Sequence, residues 1–444
     1  MSIRLSSIFI LFNVFFIVQI KAQEKFDLKQ CIDYGLKNNP SSVISFNDKR
    51  IADAKAKESL AAYLPNLNFS GTVDDNLKVQ EQVIPAGLFG DQDIRVAFTK
   101  KFTTNGSVQL DQTIYDQSQI LALNANKLLR QQADLNLKKT KESVIYNIST
   151  SYYQIFVYQE QLELLKINLE TYSKQLEIVA LKVKKGVALQ KDMDKVQVDY
   201  NNTLSQIRVA ETNIILAENQ LKYEMGFPMQ TKLEIEKLEI NRIDVTAELE
   251  NDLNFENISD RELDKLNAEL LKVDEKSIRA GFLPKLSFYA RYGWNGFGDD
   301  LGQSFSSLRS FSAIGIKLAI PLFDGFKRKS QYTQAKLKYA NALETNKLNE
   351  GKYQLDYENS VSKLYKAESD IENDKRNMEL SRSIFNVTDL QYQKGVTDTK
   401  DWLDSQNSLK SSQNTYLTSL YNFFQSKVDL EKAKGTLVQF YNSL

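Results

Sequence analysis

The side chains that most often carry out catalysis are almost missing from this sequence of 444 residues. It contains no histidine and a single cysteine, Cys31. Ser/His/Asp and Cys/His nucleophilic sites, histidine acid–base catalysis and most zinc sites are therefore excluded. Carboxylate-only chemistry is still open, but no glycine-rich phosphate loop or paired-acid motif stands out. The composition predicts a protein that is not an enzyme and that holds no cofactor or metal.

The charges balance, with 57 Lys and Arg residues against 57 Asp and Glu residues. A chain without an excess of either sign has no strong field to recruit nucleic acid, so no nucleic-acid partner is expected. The length allows two or three ordinary domains, or one elongated domain.

The first 22 residues, "MSIRLSSIFILFNVFFIVQIKA", place Arg4 before an apolar run that ends at Lys21-Ala22. This pattern predicts a secretory signal peptide over residues 1–22. The alternative is a short membrane anchor, but the run is shorter than the ~20 apolar residues of a spanning helix. "LKQC" resembles a lipid-attachment site superficially, although Gln30 is not small. A buried side chain is the favoured interpretation of Cys31.

Landmarks recur along the chain at nearly constant spacing, which predicts an internal two-fold repeat. Gly186 and Gly395 lie 209 residues apart, within the similar segments "KKGVALQKDMDKVQ" and "QKGVTDTKDWLDSQ". Asp116 and Asp324, which end "IYD" and "LFD", lie 208 apart, whereas Pro65 and Pro284 lie 219 apart. The first copy therefore carries about eleven extra residues before the aspartate, as a surface loop tolerates. The predicted organisation is a first repeat at 23–225, a linker at 226–256 and a second repeat at 257–444.

Large apolar residues recur every seven positions in each repeat, which predicts helices that supercoil against their neighbours. In the first repeat they are Ile148, Ile155, Leu162, Leu169, Leu176 and Val183, then Met193, Tyr200, Ile207, Ile214 and Leu221. In the second they are Tyr357, Leu364, Ile371, Met378, Phe385 and Tyr392, then Trp402, Leu409, Tyr416, Phe423, Leu430 and Leu437. Residues 117–184 contain no proline, so one helix about 100 Å long fits there. Each repeat is expected to form a long helical hairpin that turns near Gly186 or Gly395.

A second track of small residues follows the large one, at Ser405, Ser412, Ser419, Ser426 and Ala433. A large seam beside a small seam lets one helix pack against neighbours on both sides. This favours a curved wall of helices over a solvated seam on an ordinary hairpin.

The Leu-Pro pairs at Pro65 and Pro284 mark junctions where a helix ends and a strand begins. Apolar and polar residues alternate after each junction, in "LNFSGTV" and "LSFYARYGW", and again before each Tyr/Phe-Asp exit. About ten alternating residues are typical of an outer-membrane strand, although a soluble sheet shows the same period. The predicted β-hairpins span about 66–115 and about 285–321. Four strands cannot close a barrel, so closure requires several chains, for which a ring of identical subunits is the natural arrangement.

In the order and duplication of these features, the chain resembles the TolC-type outer-membrane efflux protein family. The resemblance spans "LKQCIDYGLKNNP", both Leu-Pro junctions, both strand exits and both glycine-led turns. It implies an α+β membrane protein, a homotrimer with a twelve-stranded β-barrel in outer-membrane lipid and a twelve-helix tunnel through the periplasm. It also implies docking of the tip turns onto a periplasmic adaptor that works with an inner-membrane pump.

The resemblance further implies that Tyr392, Asp401 and Asp404 help to close the periplasmic entrance. The basic residue that well-known members carry two positions after the second tip glycine is Thr397 here, so the closing contacts must differ. Asp192 and Lys195 occupy the matching places of the first repeat. The alternative for Asp401 and Asp404 is that they are ordinary solvated acids at a helix start, where a negative charge is favourable.

The expected function is that of a passive exit duct in a tripartite efflux system. A type I protein-secretion outlet would share the same architecture. A non-conducting periplasmic coiled-coil scaffold is the alternative from a different class.

Overall fold

The computed structural model describes residues 25–87, 90–237 and 254–444. The predicted signal peptide, and residues 238–253 of the predicted linker, lie outside these ranges. The expected combination of long helices and few strands is confirmed. The helices are α1 Leu28–Asn38, α2 Pro40–Ala61, α3 Gln117–Lys184, α4 Gln190–Met225, α5 Ser259–Ala280, α6 Leu301–Ser306, α7 Lys327–Gln393, α8 Thr399–Lys434 and α9 Leu437–Ser443. The strands are β1 Asn66–Asp75, β2 Glu81–Ile84, β3 Ile94–Ala97, β4 Phe102–Tyr115, β5 Lys285–Gly298 and β6 Arg309–Ala319.

Four strands form one antiparallel sheet in the order β1-β4-β5-β6. The two central strands, β4 and β5, are 14 residues each and join the first half of the chain to the second. The sheet therefore has two outer edges, β1 and β6, which come from opposite halves of the chain.

A separate hairpin, β2–β3, lies within the long connection between β1 and β4. The sequence interpretation treated this connection as a loop only. Its strands, "EQVI" and "IRVA", have four residues each, which is too short for an alternating pattern to be recognised.

The two longest helices, α3 and α7, have 68 and 67 residues and so extend about 100 Å. Helix α3 packs along α4, and α7 packs along α8, which makes two antiparallel hairpins. Helix α3 also packs against α8, so the two hairpins lie side by side. No helix within the described part of the chain is both long enough and apolar enough to cross a membrane.

The heptad tracks are largely buried, with one shift along α3 and only partial burial at Met193, Tyr200, Ile214 and Tyr357. The α8 residues Trp402, Leu409, Tyr416, Phe423 and Leu430 are all buried. On α3, Ile148 and Ile155 are buried, but towards the tip the fully covered residues are Leu165, Tyr172 and Val179. The predicted Leu162, Leu169, Leu176 and Val183 are only partly buried there. This second stripe is covered because α3 contacts both α4 and α8.

At the junctions, the strands begin directly after Pro65 and Pro284. Asp116, at the end of β4, is bound by residues near the starts of both neighbouring strands, β1 and β5. The Tyr63 hydroxyl donates to the Asp116 carbonyl at 2.8 Å, and the Lys285 ammonium lies 2.7 Å from the Asp116 carboxylate. The junctions therefore tie the first residues of one strand to the end of its neighbour.

The largest apolar cluster among the described residues joins α1 and α9 to the parts of α3, α4, α7 and α8 that lie away from the glycine turns. Cys31 lies within it and is completely buried. Burial, with a smaller contribution from the Asp27 carboxylate, raises the pKa of the Cys31 thiol to about 12. The structure thus places Cys31 as a packing residue.

We expect Cys31 in the native protein to resist a maleimide reagent at pH 8, because the thiol is buried and protonated at that pH. Unfolding in denaturant should release one reactive thiol per chain. A Ser205→Cys variant in a Cys31→Ala background, with its thiol on an exposed position of α4, should react in the native state. Rapid native labelling of Cys31, or an intact mass that includes an added acyl group, would contradict this placement.

Candidate functional site at the helical tips

The two hairpin turns have the same backbone geometry. Gly186 and Gly395 both adopt φ of 75°, a conformation that side chains other than glycine rarely accept. The amide of each glycine donates to the carbonyl three residues before it, at 2.9 and 3.1 Å. The amide of the following valine donates to the carbonyl five residues before it, at 3.0 and 2.9 Å. These bonds leave Val187 and Val396 at the apices, each 73% exposed.

Just below the turns, all four long helices contribute to one apolar group, which we name the tip cluster. Its buried members are Tyr172, Val179, Val196, Phe385, Tyr392, Trp402, Leu403 and Leu409. The fully buried Trp402 ring makes edge contacts with Tyr172 and Phe385 at centroid distances of 5.9 and 5.6 Å. Its indole Nε1 donates to Asp389 Oδ1 at 2.7 Å. The ends of both hairpins therefore pack as a single body.

Tyr392, one of the predicted entrance residues, is buried within the tip cluster. The Lys182 ammonium of α3 lies 3.5 Å from the Tyr392 ring centroid and donates to its backbone carbonyl at 3.0 Å. The Tyr392 hydroxyl is hydrogen-bonded to Thr399 Oγ1 at 3.2 Å. These contacts join the first hairpin to the second within one chain.

Asp401 and Asp404 lie in the first turns of α8, three residues apart and on one helix face, and both are exposed. The Asp401 amide donates to Asp398, which caps the helix, at 2.9 Å. The Thr397 hydroxyl donates to the Asp401 carboxylate at 2.6 Å. Within the described ranges, neither carboxylate forms an ion pair. The structure therefore separates the exposed acids from the buried tyrosine.

The matching positions of the first hairpin are built differently. Asp192 is half-buried and Lys195 is exposed in the first turns of α4. The residue that precedes this helix, Leu189, offers no side-chain cap, whereas Asp398 caps α8. The acidic pair is thus a feature of the second hairpin only.

A buried polar layer separates the tip cluster from the rest of the α3–α8 contact. Asn168 donates to Gln413 at 2.8 Å and accepts from Gln406 at 3.1 Å. Gln175, one heptad from Asn168, is 1% exposed, and neither side-chain polar atom has a partner among the described residues. Each such atom costs about 1–3 kcal/mol. The seven-residue spacing of these amides was visible in the sequence, but their pairing was not foreseen.

The contacts made by Lys182 and Trp402 were also missed. Lys182 is not singled out by any pattern in the sequence, and Trp402 is predicted only as a heptad residue. Their partners lie on another helix or beyond the glycine turn. Among the described residues, no group of Cys, Asp or Glu side chains is arranged to hold a metal ion.

Replacing Trp402 with Phe should loosen the tips while leaving their aromatic packing in place. The variant loses the hydrogen bond to a carboxylate, worth about 1.5–3 kcal/mol, so amide exchange across the tip cluster should rise roughly ten- to a hundredfold. Hydrogen-exchange mass spectrometry of peptides from 385–409 measures this. The control is Trp294→Phe in β5, which should leave tip exchange unchanged. Unaltered exchange in Trp402→Phe would show that the indole bond does not hold the tip.

Comparisons with known proteins by sequence and by structure identify relatives of the same kind. A sequence profile described as outer membrane efflux protein matches residues 46–226 and 271–436. Outer membrane protein TolC of Escherichia coli (strain K12) is 21% identical over 348 residues, which cover 75% of this chain and 70% of TolC. Alkaline protease secretion protein AprF of Pseudomonas aeruginosa is 21% identical over 322 residues, 69% of this chain and 64% of AprF. The solved structure of CusC superposes with a TM-score of 0.76 at 16% identity, covering 92% of this chain and 91% of CusC.

Proposed function

This chain belongs to the outer membrane efflux protein family, and on that premise we propose that it is a passive exit duct from the periplasm to the cell exterior. The family consists of transport channels and is not an enzyme family. Its members are located in the outer membrane and carry a long periplasmic helical extension. In the duct proposed here, substrates pass through without chemical change.

The observation that carries the proposal is a four-stranded sheet whose outer strands are exposed. On β6, Ile314, Ile316 and Leu318 are 79%, 68% and 59% exposed and share one face of the strand. Four strands are too few to enclose a channel, and exposed apolar strand faces suit contact with lipid. We therefore propose a homotrimer with a twelve-stranded barrel and a tunnel of twelve helical passes, built from two similar halves per chain.

The proposed partners are a periplasmic adaptor and an inner-membrane pump. A type I secretion outlet is the second candidate, because the similar AprF is named as a protein for alkaline protease secretion. A comparison of secreted proteins between the parent strain and a deletion strain would separate the two.

Purified protein tests the duct directly. The expected result is a heat-modifiable, detergent-requiring trimer that conducts ions in a planar lipid bilayer. A water-soluble rod without conductance would instead indicate the coiled-coil scaffold.

We propose that the turns at Gly186 and Gly395 are the contact points for the adaptor, since each presents an exposed valine. Val187→Asp combined with Val396→Asp should sharply reduce co-purification of the adaptor, because a charge at an apolar contact is costly to desolvate. Conductance of the purified variant should be unchanged. Val198→Asp, at an exposed position on the shaft of α4, is the matched control. Full adaptor recovery with the apex variant would argue against docking at the turns.

We further propose that Asp401 and Asp404 from three chains form an acidic ring at the periplasmic entrance. Such a ring attracts cations and repels anions. The double variant Asp401→Ala/Asp404→Ala should raise the conductance, or weaken block by multivalent cations, in bilayer recordings. Asp194→Ala, which removes an exposed acid near the start of α4, should have no such effect. If conductance and block both stay at wild-type values, the acids do not line the entrance.

A further inference from the structure

The two outer strands of the sheet, β1 and β6, leave one edge each available for another strand. They come from equivalent places in the two halves of the chain. Helices α2 and α5, which lead into β1 and β5, each have 22 residues, and their first residues, Pro40 and Ser259, lie 219 positions apart. The strand exits Asp116 and Asp324 lie 208 apart.

The offsets of 219 and 208 residues convert the observed register between β1 and β4 into the observed register between β5 and β6. Ser70 of β1 lies opposite Ser107 of β4. Adding 219 to the first number and 208 to the second gives Tyr289 and Gly315, which lie opposite each other in β5 and β6. The two halves therefore share one register as well as one order of elements.

A packing contact far from the sheet follows the same rule. A side chain at Gly226, at the end of α4, would lie 2.6 Å from the Asn38 carbonyl oxygen. A side chain at Gly435, at the end of α8, would lie 2.5 Å from that of Asn257. The glycines are 209 apart and the asparagines 219 apart. The repeat thus holds at the level of individual contacts.

The boundary between the halves, where β4 meets β5, then serves as a template for the boundary between two chains. In β4 and β5, Asp111 lies opposite Tyr289. Moving the first forward by 208 and the second back by 219 gives Ala319 and Ser70. We propose that β6 of one copy pairs antiparallel with β1 of the next copy with Ala319 opposite Ser70. This inference rests on the proposed homotrimer and assigns its interface residue by residue.

The proposed register matches the faces of the two strands. It places Phe69 opposite Ile320 and Val73 opposite Ile316, all of which are exposed and apolar in the single chain. A slip by one residue would set these side chains against positions of the other face, such as Ala319 opposite Phe69. The apolar band continues across the boundary only in the proposed register or in one displaced by two residues.

Helix α2, beneath the sheet, likewise has one side exposed in the single chain. Helix α5 packs between α3 and α7, whereas α2 packs along α3. On α2, Val43, Ile44 and Phe46 are 49%, 60% and 53% exposed. In the template, the side of α2 opposite α3 receives α7 of the neighbouring copy. The strand pairing and the helix packing therefore require the same neighbour.

The ion pairs at the junctions fit this boundary. Within the chain, Lys285 after Pro284 pairs with Asp116 of the adjacent strand exit at 2.7 Å. Between copies, the residue in place of Lys285 is the neutral Asn66. Asp324 is instead neutralised by Arg328 of its own chain at 2.6 Å. The strand-exit carboxylates Asp116 and Asp324 thus each have one cation from within the chain, and neither needs one from the neighbouring copy.

Disulfide trapping in full-length trimer tests the register. In a Cys31→Ala background, Ser70→Cys/Ala319→Cys should give chains linked up to the covalent trimer on mild oxidation. Val73→Cys/Ile316→Cys, one pair of the opposite face, is a second test should the first variant fold poorly. Ser70→Cys/Lys317→Cys, displaced by two residues, should link roughly tenfold less, because diagonal Cα atoms are too far apart for a disulfide. Ser287→Cys/Lys317→Cys, opposite within one chain, should close without joining chains.

Preferential linkage of the displaced pair, or no linkage of either in-register pair, would overturn the proposed register. Bilayer conductance of the same preparations distinguishes a failure of the proposed register from a failure of the proposed duct. A conducting oligomer with the wrong crosslinks refutes the register alone. A preparation without any oligomer refutes both.

Discussion

Backbone hydrogen bonding at the edges of one small sheet is the constraint on which the rest of this structure depends. In hydrocarbon, an unpaired N–H or C=O group costs several kilocalories per mole, so a lipid-exposed sheet must be closed. The sheet described here offers two edges, β1 and β6. In the proposed homotrimer, closure by identical chains satisfies both edges at once, since every copy supplies one β1 and one β6.

The helices carry the same repetition away from the sheet. The Asp116–Lys285 pair ties the end of β4 to the start of β5, directly where α3 begins, so strand spacing sets helix spacing. About 100 Å further on, the tip cluster again joins the two hairpins. Between these points lies the Asn168–Gln413 layer, in which some buried amide atoms have no partner among the described residues. The largest apolar cluster also joins α3 and α8 between these points, so the amide layer is a less favourable step between two well-packed regions.

Features set by local sequence were predictable, whereas contacts between distant residues were not. Proline-free stretches, the glycine turns and the heptads indicated the long helices, because each depends on residues within one or two turns. The β2–β3 hairpin escaped because its strands are too short to show a period. The contact of Lys182 with Tyr392 joins residues 210 positions apart, and no local pattern reports such a pairing. In the proposed trimer, the surface of α8 that faces a neighbouring copy likewise depends on the assembly and not on the helix itself.

The structure divides the predicted entrance residues into two physical roles. Tyr392 is covered, and its partners Lys182 and Thr399 belong to its own chain, so its contribution is to hold one subunit's tips together. Asp401 and Asp404 are exposed, and an ion pair with either is absent from the described residues, so their charges act on whatever approaches. In the proposed trimer, three such acidic pairs repel one another, and at 0.1 M salt this repulsion is largely screened at separations beyond about 10 Å. The tip cluster joins both hairpin ends of one chain, so in the proposed trimer this repulsion acts on the two tips of each chain as one body.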